Sequence, residues 1–266
     1  MVERIPTVKL LVKRLKQDPF FRFDCGFLLS DDVPSEASYS RMITAISETD
    51  ALAKVQDVLV AQAIQEGFIT EESLAIDATH FEARDKPEAS VKKEKPAPKK
   101  RGRKPKGEQE AWQATKQKQE DDKTLYEKEI VHQLNESAET LVNEMPIAPK
   151  WGVKKNSDGK NAYWFGHKAH LAGSTDSQYI IRGLMSSGSL NDGKAAIPLL
   201  KQIQQKMPGF FQAGIMDKGY DFTPIYQQLQ EMNLHAVIAY NPRREGEVIG
   251  FDEHFAPTCV REHSYR

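Results

Sequence analysis

The stretch SLAIDATHF (residues 73–81) alternates apolar with small or polar side chains, which predicts a buried strand that ends at Asp77. A second short apolar run, AGIMD (residues 213–217), also ends in an aspartate, Asp217. Alternation is typical of a strand, and an ionised aspartate beside a buried strand is costly unless it is paired or binds a metal ion. If the two strands are neighbours, both carboxylates meet at one sheet edge, where their oxygens suit Mg²⁺ or Mn²⁺. Two unrelated aspartates that cap turns are the alternative; for a pair in this order of elements we favour the metal site.

The segments between and after these runs predict a mixed sheet with helices beside it. Residues 162–173 and 178–185 are rich in aromatic and β-branched side chains and are joined by a Ser-Thr-Asp turn, which predicts a hairpin. Residues 195–207 and 222–232 each have one apolar helical face, and residues 235–240 form a further apolar run. A hairpin combined with crossover helices requires antiparallel and parallel pairs in one sheet. The predicted fold class is therefore α/β with a mixed sheet.

The first 70 residues predict a small all-helical domain. Apolar residues recur there at steps of three and four, as on the buried face of a helix. This periodicity indicates a core, and DNA binding by the domain is the second interpretation.

A strongly basic segment separates the predicted strands. Residues 84–106 contain eleven basic and three acidic residues, four prolines and one aliphatic side chain larger than alanine. This composition cannot bury enough surface to offset the entropy of ordering, so we predict a partly disordered insert, continued by a polar helix over residues 116–143 and ending at residue 149. Its charge favours nucleic acid as the partner, although a solvated linker is an equally good interpretation. The candidate DNA-binding residues, part of which resemble an AT-hook, are Lys99, Lys100, Arg101, Arg103 and Lys104.

Composition excludes several classes of protein. The chain has 266 residues, of which 39% are hydrophobic, and no run approaches the roughly 20 apolar residues that a membrane-spanning helix needs. Its two cysteines lie far apart in the sequence, which excludes a disulfide framework and favours the reducing cytosol. The formal net charge is only −1 because the positive charge of the basic insert cancels the negative charge of the rest of the chain. We expect a cytoplasmic protein without a membrane partner.

The two aspartate-terminated runs and the segments between them resemble the ribonuclease-H-like catalytic core of DDE transposases of bacterial insertion sequences. The resemblance rests on LAIDATHFEA around Asp77, YWFGHKAHLAG, SLNDGKAAIPLL, and GIMDKGYDFTPIYQQL around Asp217. It covers residues 74–240 apart from the basic insert, and VPSEASYSRMITAIS resembles the helical region that precedes this core. The expected domains are a helical domain over residues 1–70, an incomplete catalytic core over residues 71–83 and 150–266, and the insert over residues 84–149.

The resemblance implies metal-dependent DNA cleavage and strand transfer at the ends of a mobile element. It implies that Asp77 and Asp217 are the catalytic residues and the first two ligands of Mg²⁺ or Mn²⁺. It also implies double-stranded DNA as the partner, association with the nucleoid, and a homodimer as one form of the protein.

The third acidic ligand is where the sequence departs from the family pattern. The family places a glutamate on a later helix, in the pattern tyrosine, two residues, arginine, three residues, glutamate, and Tyr240, Arg243 and Glu247 have that spacing. Pro242 and Gly246 disfavour a helix there, so the third ligand stays open and Glu247 is only a candidate for it. We expect a truncated transposase in which two ligands bind metal weakly and strand transfer is feeble or absent.

The sequence leaves two roles for Lys168 and two competing functions for the chain. Lys168 is a candidate contact for a DNA phosphate, with a solvated strand face as the alternative, and Asp192 is predicted to cap the helix after it. Pro198 is unfavourable in that helix unless it falls in the first turn. The competing functions are a non-catalytic DNA-binding fragment and a phosphatase of the haloacid-dehalogenase kind. The phosphatase mechanism needs a carboxylate two residues beyond Asp77, where the chain has Thr79.

Overall fold

The structure is a computed structural model that describes residues 5–85, 87, 106–155, 158–243 and 250–258. It divides into two compact units, Met1–Ala63 and Ile64–Arg266. Within the described ranges, no helix is both long enough and apolar enough to cross a membrane.

The first unit contains helices, as the apolar spacing predicts. They are α1 (Val8–Gln17), α2 (Pro19–Asp24), α3 (Glu36–Ser47) and α4 (Ala51–Gln65). α1 begins where Thr7 Oγ1 accepts a hydrogen bond from the Leu10 N–H group (3.2 Å), and Ser35 caps α3 in the same way. Asp18 ends α1 and caps α2, which has Pro19 at its first position. Local capping chemistry thus sets where these helices start.

The second unit is built on a six-stranded mixed sheet. Its strands are β1 (Ser73–Glu82), β2 (Lys150–Lys155), β3 (Asn161–Ser174), β4 (Ile180–Ser187), β5 (Ala213–Met216) and β6 (His235–Ile238). Their order is β2-β3-β1-β5-β6, and β4 also pairs with β3. β3 is antiparallel to its neighbours β1, β2 and β4, whereas β1, β5 and β6 are parallel. The predicted fold class, a ribonuclease-H-like mixed sheet preceded by helices, is confirmed.

The segment between β1 and β2 forms two α-helices and a 3₁₀ helix among its described residues, instead of the single polar helix expected over residues 116–143. The remaining elements of the second unit are α5 (Lys106–Asp121), a 3₁₀ helix (Ile130–Gln133), α6 (Ala138–Asn143), α7 (Gly193–Lys206), a 3₁₀ helix (Lys218–Tyr220), α8 (Thr223–Glu231), β7 (Gly250–Phe251) and β8 (Pro257–Thr258). The chain turns after α5 because the N–H and hydroxyl groups of Thr124 both donate to the Glu127 carboxylate (2.9 Å each).

One face of the sheet, the covered face, carries Leu74 and Ile76 of β1, which are buried. Arg182 of β4 lies on the same face, two strands away from Ile76, and its Nε donates to Gln202 Oε1 of α7 (3.2 Å). Helix α7 therefore packs on the covered face, where the apolar side chains of the strands and the helix exclude water.

Helix α8 packs on the covered face as well. Gly214 of β5 pairs with Leu74, and a Cβ atom added to Gly214 would lie 2.8 Å from Leu229 Cδ2 of α8. Only a glycine at this position lets α8 approach the strand so closely.

The other face, the open face, carries Ala75 and Asp77 of β1 and leaves large apolar side chains exposed. Ile215 of β5 and Val237 of β6, which continue the row from Ala75, are 37% and 45% exposed. Met185 of β4, on the same face, is 50% exposed. The two faces of the sheet therefore differ sharply in burial.

Helix α7 contains a proline in its interior, and a buried side chain replaces the lost hydrogen bond. Pro198 is the sixth residue of α7 and lies beyond the first turn, where a proline is tolerated. Because Pro198 has no N–H group, it cannot bond to the carbonyl of Lys194 four residues earlier. Gln133 Nε2 donates to that carbonyl instead (3.1 Å), and Gln133 is buried.

Two lysines of α7 hold the connector, residues 124–136, against the helix. The ammonium groups of Lys194 and Lys201 each donate to two backbone carbonyls of the connector. Burial lowers the pKa of both side chains. The accepting carbonyls belong to Tyr126 and Lys128 for Lys194, and to Leu134 and Glu136 for Lys201.

Strand β2 was not among the predicted elements. Its sequence, KWGVKK, lacks a sustained apolar alternation. It pairs with β3, where Gly152 lies opposite Trp164, and a Cβ atom at Gly152 would lie 2.3 Å from the indole ring. The close contact of Trp164 with Gly152 therefore stabilises this strand, which has no apolar pattern of its own.

Candidate functional site

The register of β1 and β5 places Asp77 and Asp217 in adjacent positions. Ile76 pairs with Met216 in the parallel ladder, and each of these residues is followed directly by an aspartate. The prediction that the first strand ends at Asp77 is wrong, because pairing with β3 continues β1 to Glu82. β5 does end at Met216, so Asp217 stands at the carboxyl end of its strand beside the middle of β1. Both aspartates are exposed. We call this place the carboxylate edge.

Each carboxylate is oriented by the backbone beside it. Asp217 Oδ1 accepts a hydrogen bond from the Gly219 N–H group (2.8 Å) and caps the short 3₁₀ helix that follows. Asp77 Oδ1 accepts from the Ala78 N–H group (2.7 Å). Neither carboxylate forms a salt bridge within the described ranges. Two oriented, solvent-accessible carboxylates without a cationic partner fit a hard divalent cation such as Mg²⁺ or Mn²⁺.

A buried tyrosine lies beneath the carboxylate edge. Tyr220 is 1% exposed, and its hydroxyl has no hydrogen-bond partner among the residues that the structure describes. Burial raises the pKa of Tyr220, and the negative charges of Asp192, Asp77 and Asp217 raise it further. The tyrosine hydroxyl therefore lies within electrostatic range of three carboxylates.

The third of these carboxylates, Asp192, does not cap helix α7 as the sequence predicts. Its Oδ1 lies 2.8 Å from Lys168 Nζ, and Asn191 Oδ1 accepts from the first helical N–H group, that of Gly193 (3.0 Å), in its place. Lys168 also donates to the Leu190 carbonyl (2.9 Å), and its side chain is 15% exposed. Lys168 is therefore held in an ion pair on the covered face and does not form a solvated strand face.

In the part of the chain that the structure describes, no three His, Cys, Asp or Glu side chains surround a common point as a metal-binding cluster would. Asp192 forms an ion pair with Lys168, so Asp77 and Asp217 are the two carboxylates left at this edge of the sheet.

The sequence was compared with models of known protein families. A family described as the transposase DDE domain matches residues 70–264.

The chain belongs to the DDE transposase family. The match extends over most of the chain and includes both aspartates of the carboxylate edge. No curated protein and no solved structure matches the chain significantly. The family recognised from the sequence is thereby confirmed.

The DDE domain also contains a histidine, His170, which shares a strand face with Lys168 as alternation predicts but is buried and not solvated. His170 is 0% exposed, and its Nε2 lies 2.8 Å from Ser186 Oγ. Burial lowers the pKa of His170 to about 4, and the charge of Lys168 lowers it further, while Asp192 acts in the opposite direction. The imidazole is therefore neutral at physiological pH and belongs to the packing of the covered face.

Some of the expected site residues lie outside the described residues of the transposase. The third-ligand candidate Glu247 is one of them. The expected DNA-binding residues in the same situation are Lys99, Lys100, Arg101, Arg103 and Lys104.

Proposed function

We propose that this transposase cleaves DNA with a divalent cation held between Asp77 and Asp217, and that it transfers the cut strand to a target duplex. The observation that carries the proposal is the parallel register of β1 and β5, which places the two aspartates side by side. Because the strands are fixed by backbone hydrogen bonds, the spacing of the two carboxylates does not depend on a flexible loop alone.

The residues at the carboxylate edge suit Mg²⁺ or Mn²⁺. Backbone N–H groups orient one oxygen of each carboxylate, and the exposed position of both residues admits a hydrated ion together with a DNA strand. When bound, such an ion lowers the pKa of a water molecule and stabilises the leaving oxygen of a phosphodiester. Asp77 and Asp217 would hold the ion and keep the scissile phosphate at the end of β5.

We propose that the third carboxylate is supplied from outside the described residues. Glu247 stays a candidate for it, and Asp192 is paired with Lys168. Two carboxylates alone bind Mg²⁺ weakly, because this ion is usually held by several oxygen ligands including substrate phosphates. Weak metal binding and feeble strand transfer are therefore the expected behaviour of Asp77 and Asp217 acting alone.

The DNA partner is proposed from charge. The basic residues from Lys99 to Lys104 would neutralise phosphates of double-stranded DNA and release counterions. Lys168 would reach a phosphate only in exchange for its contact with Asp192. A homodimer in association with the nucleoid would suit cleavage of two element ends.

Mn²⁺ binding tests the proposal directly. The free Mn²⁺ signal in electron paramagnetic resonance is titrated with the full chain and with Asp77→Asn, Asp217→Asn and Asp176→Asn. Asp176 is an exposed aspartate in the β3–β4 turn and serves as the matched control. We expect binding that is lost in the first two variants and kept in the control.

The main alternative is a non-catalytic DNA-binding fragment, which the lack of a three-residue metal cluster within the described ranges favours. It predicts salt-sensitive DNA binding that neither aspartate substitution changes. Equal Mn²⁺ binding by all four proteins would remove the metal site and leave this alternative.

A further inference from the structure

Large aromatic side chains lie on the antiparallel part of the open face. Trp151 of β2 is opposite Phe165 of β3, and the centroids of their rings are 5.7 Å apart. Tyr163 precedes Phe165 by two residues and therefore lies on the same face, and Phe81 of β1 is opposite His167 of β3 on that face. We call Phe81, Trp151, Tyr163 and Phe165 the aromatic patch.

The aromatic patch is more exposed than the aromatic side chains of a core. Trp151 is 56% exposed and Tyr163 is 65% exposed, whereas Trp164, which points to the covered face, is buried. Val153 lies opposite Tyr163 and extends the exposed apolar surface. Contiguous exposed apolar patches of several hundred Å² are typical of binding surfaces. The described elements thus leave a large apolar surface of the sheet uncovered.

The chain around the patch is positively charged. Residues 150–163 contain four lysines and one acidic residue, Asp158. Lys155, the last residue of β2, is exposed and alternates onto the open face with Trp151 and Val153. Exposed aromatic rings bordered by cationic side chains are typical of surfaces that bind single-stranded nucleic acid, because bases stack on the rings while the cations attract phosphates.

The same charge disfavours a second copy of this chain as the occupant. In a two-fold dimer through the patch, each copy would bring the same lysines to the same surface. Like charges that face each other across an interface are unfavourable. A polyanion is attracted by these lysines instead, so charge complementarity selects nucleic acid.

The patch and the carboxylate edge lie on one continuous face. Asp77 and Phe81 are four residues apart on β1, which corresponds to about 14 Å along a strand. Leu171 lies opposite Asp77, and Tyr163 precedes Leu171 by eight residues on β3, or about 27 Å. A DNA strand that leaves Asp77 along β1 and β3 therefore passes over the aromatic patch.

We propose that the aromatic patch binds a single DNA strand, whose unpaired bases stack on Trp151 and Tyr163 while Lys155 attracts its phosphates. This inference rests on the proposed function, because it takes as its ligand a strand of the DNA that Asp77 and Asp217 cleave. Little sequence preference is expected, because every base has a flat face that stacks on an aromatic ring.

A short fluorescein-labelled thymidine oligonucleotide, titrated in EDTA, tests the inference without the metal site. Its anisotropy is followed with the full chain and with Trp151→Ala, Trp151→Phe, Tyr163→Ala and Phe251→Ala. Phe251 of β7 has the same exposed fraction as Tyr163 (65%) and lies outside the six-stranded sheet, so it is the matched control. Trp151→Ala and Tyr163→Ala should each weaken binding about fivefold or more, the effect of one lost stacked base. Trp151→Phe should keep most of the affinity, because it keeps an aromatic ring.

An abasic strand of the same length separates stacking from charge. It keeps the phosphates, so it is attracted by the lysines and by the basic insert in the same way. The full chain should bind the thymidine strand about fivefold or more tighter than the abasic strand, and Trp151→Ala should remove most of this difference. Tryptophan fluorescence should be quenched by the thymidine strand alone, and Trp151→Phe should lose that quenching while it still binds.

Three results would overturn the inference. They are equal affinity of the full chain for the two strands, equal affinity of Trp151→Ala and Phe251→Ala for the thymidine strand, and a dimer in sedimentation equilibrium that Trp151→Ala dissociates. Each leaves the proposed function standing, since that function fails only if Mn²⁺ binding is independent of Asp77 and Asp217. Circular dichroism checks that each variant is folded, and Tyr163→Ala provides a second substitution should Trp151→Ala unfold.

Discussion

The two faces of the sheet differ in how much apolar surface they bury and in the residues that they carry. The covered face buries Leu74 and Ile76 under two helices, whereas the open face leaves Ile215 and Val237 37% and 45% exposed and carries Asp77 in the same layer. Apolar burial contributes roughly 25 cal/mol per Å², so the covered face supplies most of the stability of the sheet. The open face stays accessible to solvent, as the proposed binding of a metal ion and DNA requires.

This difference teaches that the proposed chemistry and the stability of the fold are separable in the DDE domain. Asp77 and Asp217 are exposed and are held by backbone groups. Their substitution should therefore change function without much change in stability, while substitutions on the covered face should do the reverse. Four predictions test this separation, from the largest expected effect to the smallest.

Asp77→Asn and Asp217→Asn should each lower metal-dependent nicking of supercoiled DNA by on the order of 100-fold or more, since bound metal supplies several kcal/mol of transition-state stabilisation. The free energy of unfolding in urea should change by about 0.5 kcal/mol or less, because both side chains are exposed. A large loss of stability in either variant would show that the two tasks are not separate. Asp176→Asn, in the β3–β4 turn, is the control for an exposed aspartate away from the carboxylate edge.

Leu200→Ala, on the covered face, should lower the free energy of unfolding by about 2–5 kcal/mol, because Leu200 is 0% exposed and the substitution leaves a cavity. Leu200→Met keeps most of the volume and should cost less than about 1.5 kcal/mol. Both values come from urea denaturation followed by circular dichroism. Equal costs for the two variants would mean that packing around α7 is looser than the structure shows.

His170 should make the stability of the covered face depend on pH. Its pKa in the folded chain is lowered to about 4 from the ordinary value of 6.5, so the unfolded chain binds more protons between these values. Its contribution is fully present above pH 6.5 and is lost progressively as the pH falls towards 4. His170→Gln cannot titrate and should flatten this part of the stability profile in urea titrations at successive pH values. An unchanged profile would place the acid sensitivity in other groups.

Val237→Ala, on the open face, should cost only about 0.5 kcal/mol, because Val237 is 45% exposed before the substitution. The measurement is the same urea titration as for Leu200→Ala. A cost close to that of Leu200→Ala would show that the open face is covered in solution, and sedimentation equilibrium would then test whether a second copy covers it.

Five of the six strands of the central sheet, and the adjacent position of the two aspartates, could be predicted from the sequence, because the signals are local. Each apolar run ends in its aspartate, and the helices between the strands require a parallel crossover. The break after α5 was not predicted, because residues 116–124 are all polar and no apolar face marks where the helix ends. β2 was missed because its fit depends on Gly152 against Trp164.

The surroundings of the site could not be predicted, because they depend on residues that are distant in sequence. Asp192 has the position of a helix cap, but its partner Lys168 lies 24 residues earlier, on β3. The burial of His170 and Tyr220 follows from the packing of α7 on the sheet. The contact of Arg243 with the Asp221 carbonyl likewise joins the chain after β6 to the loop after β5. Tertiary packing decides each of these contacts.

The lysines of α7 that hold the connector also have an evolutionary consequence. Lys194 and Lys201 bond to main-chain carbonyls, which every amino acid supplies. The connector, residues 124–136, can therefore exchange many of its side chains over generations while its path is kept, whereas the two lysines cannot be exchanged without loss of that path. Selection should accordingly act on the helix at these positions and tolerate drift in the segment that the helix holds.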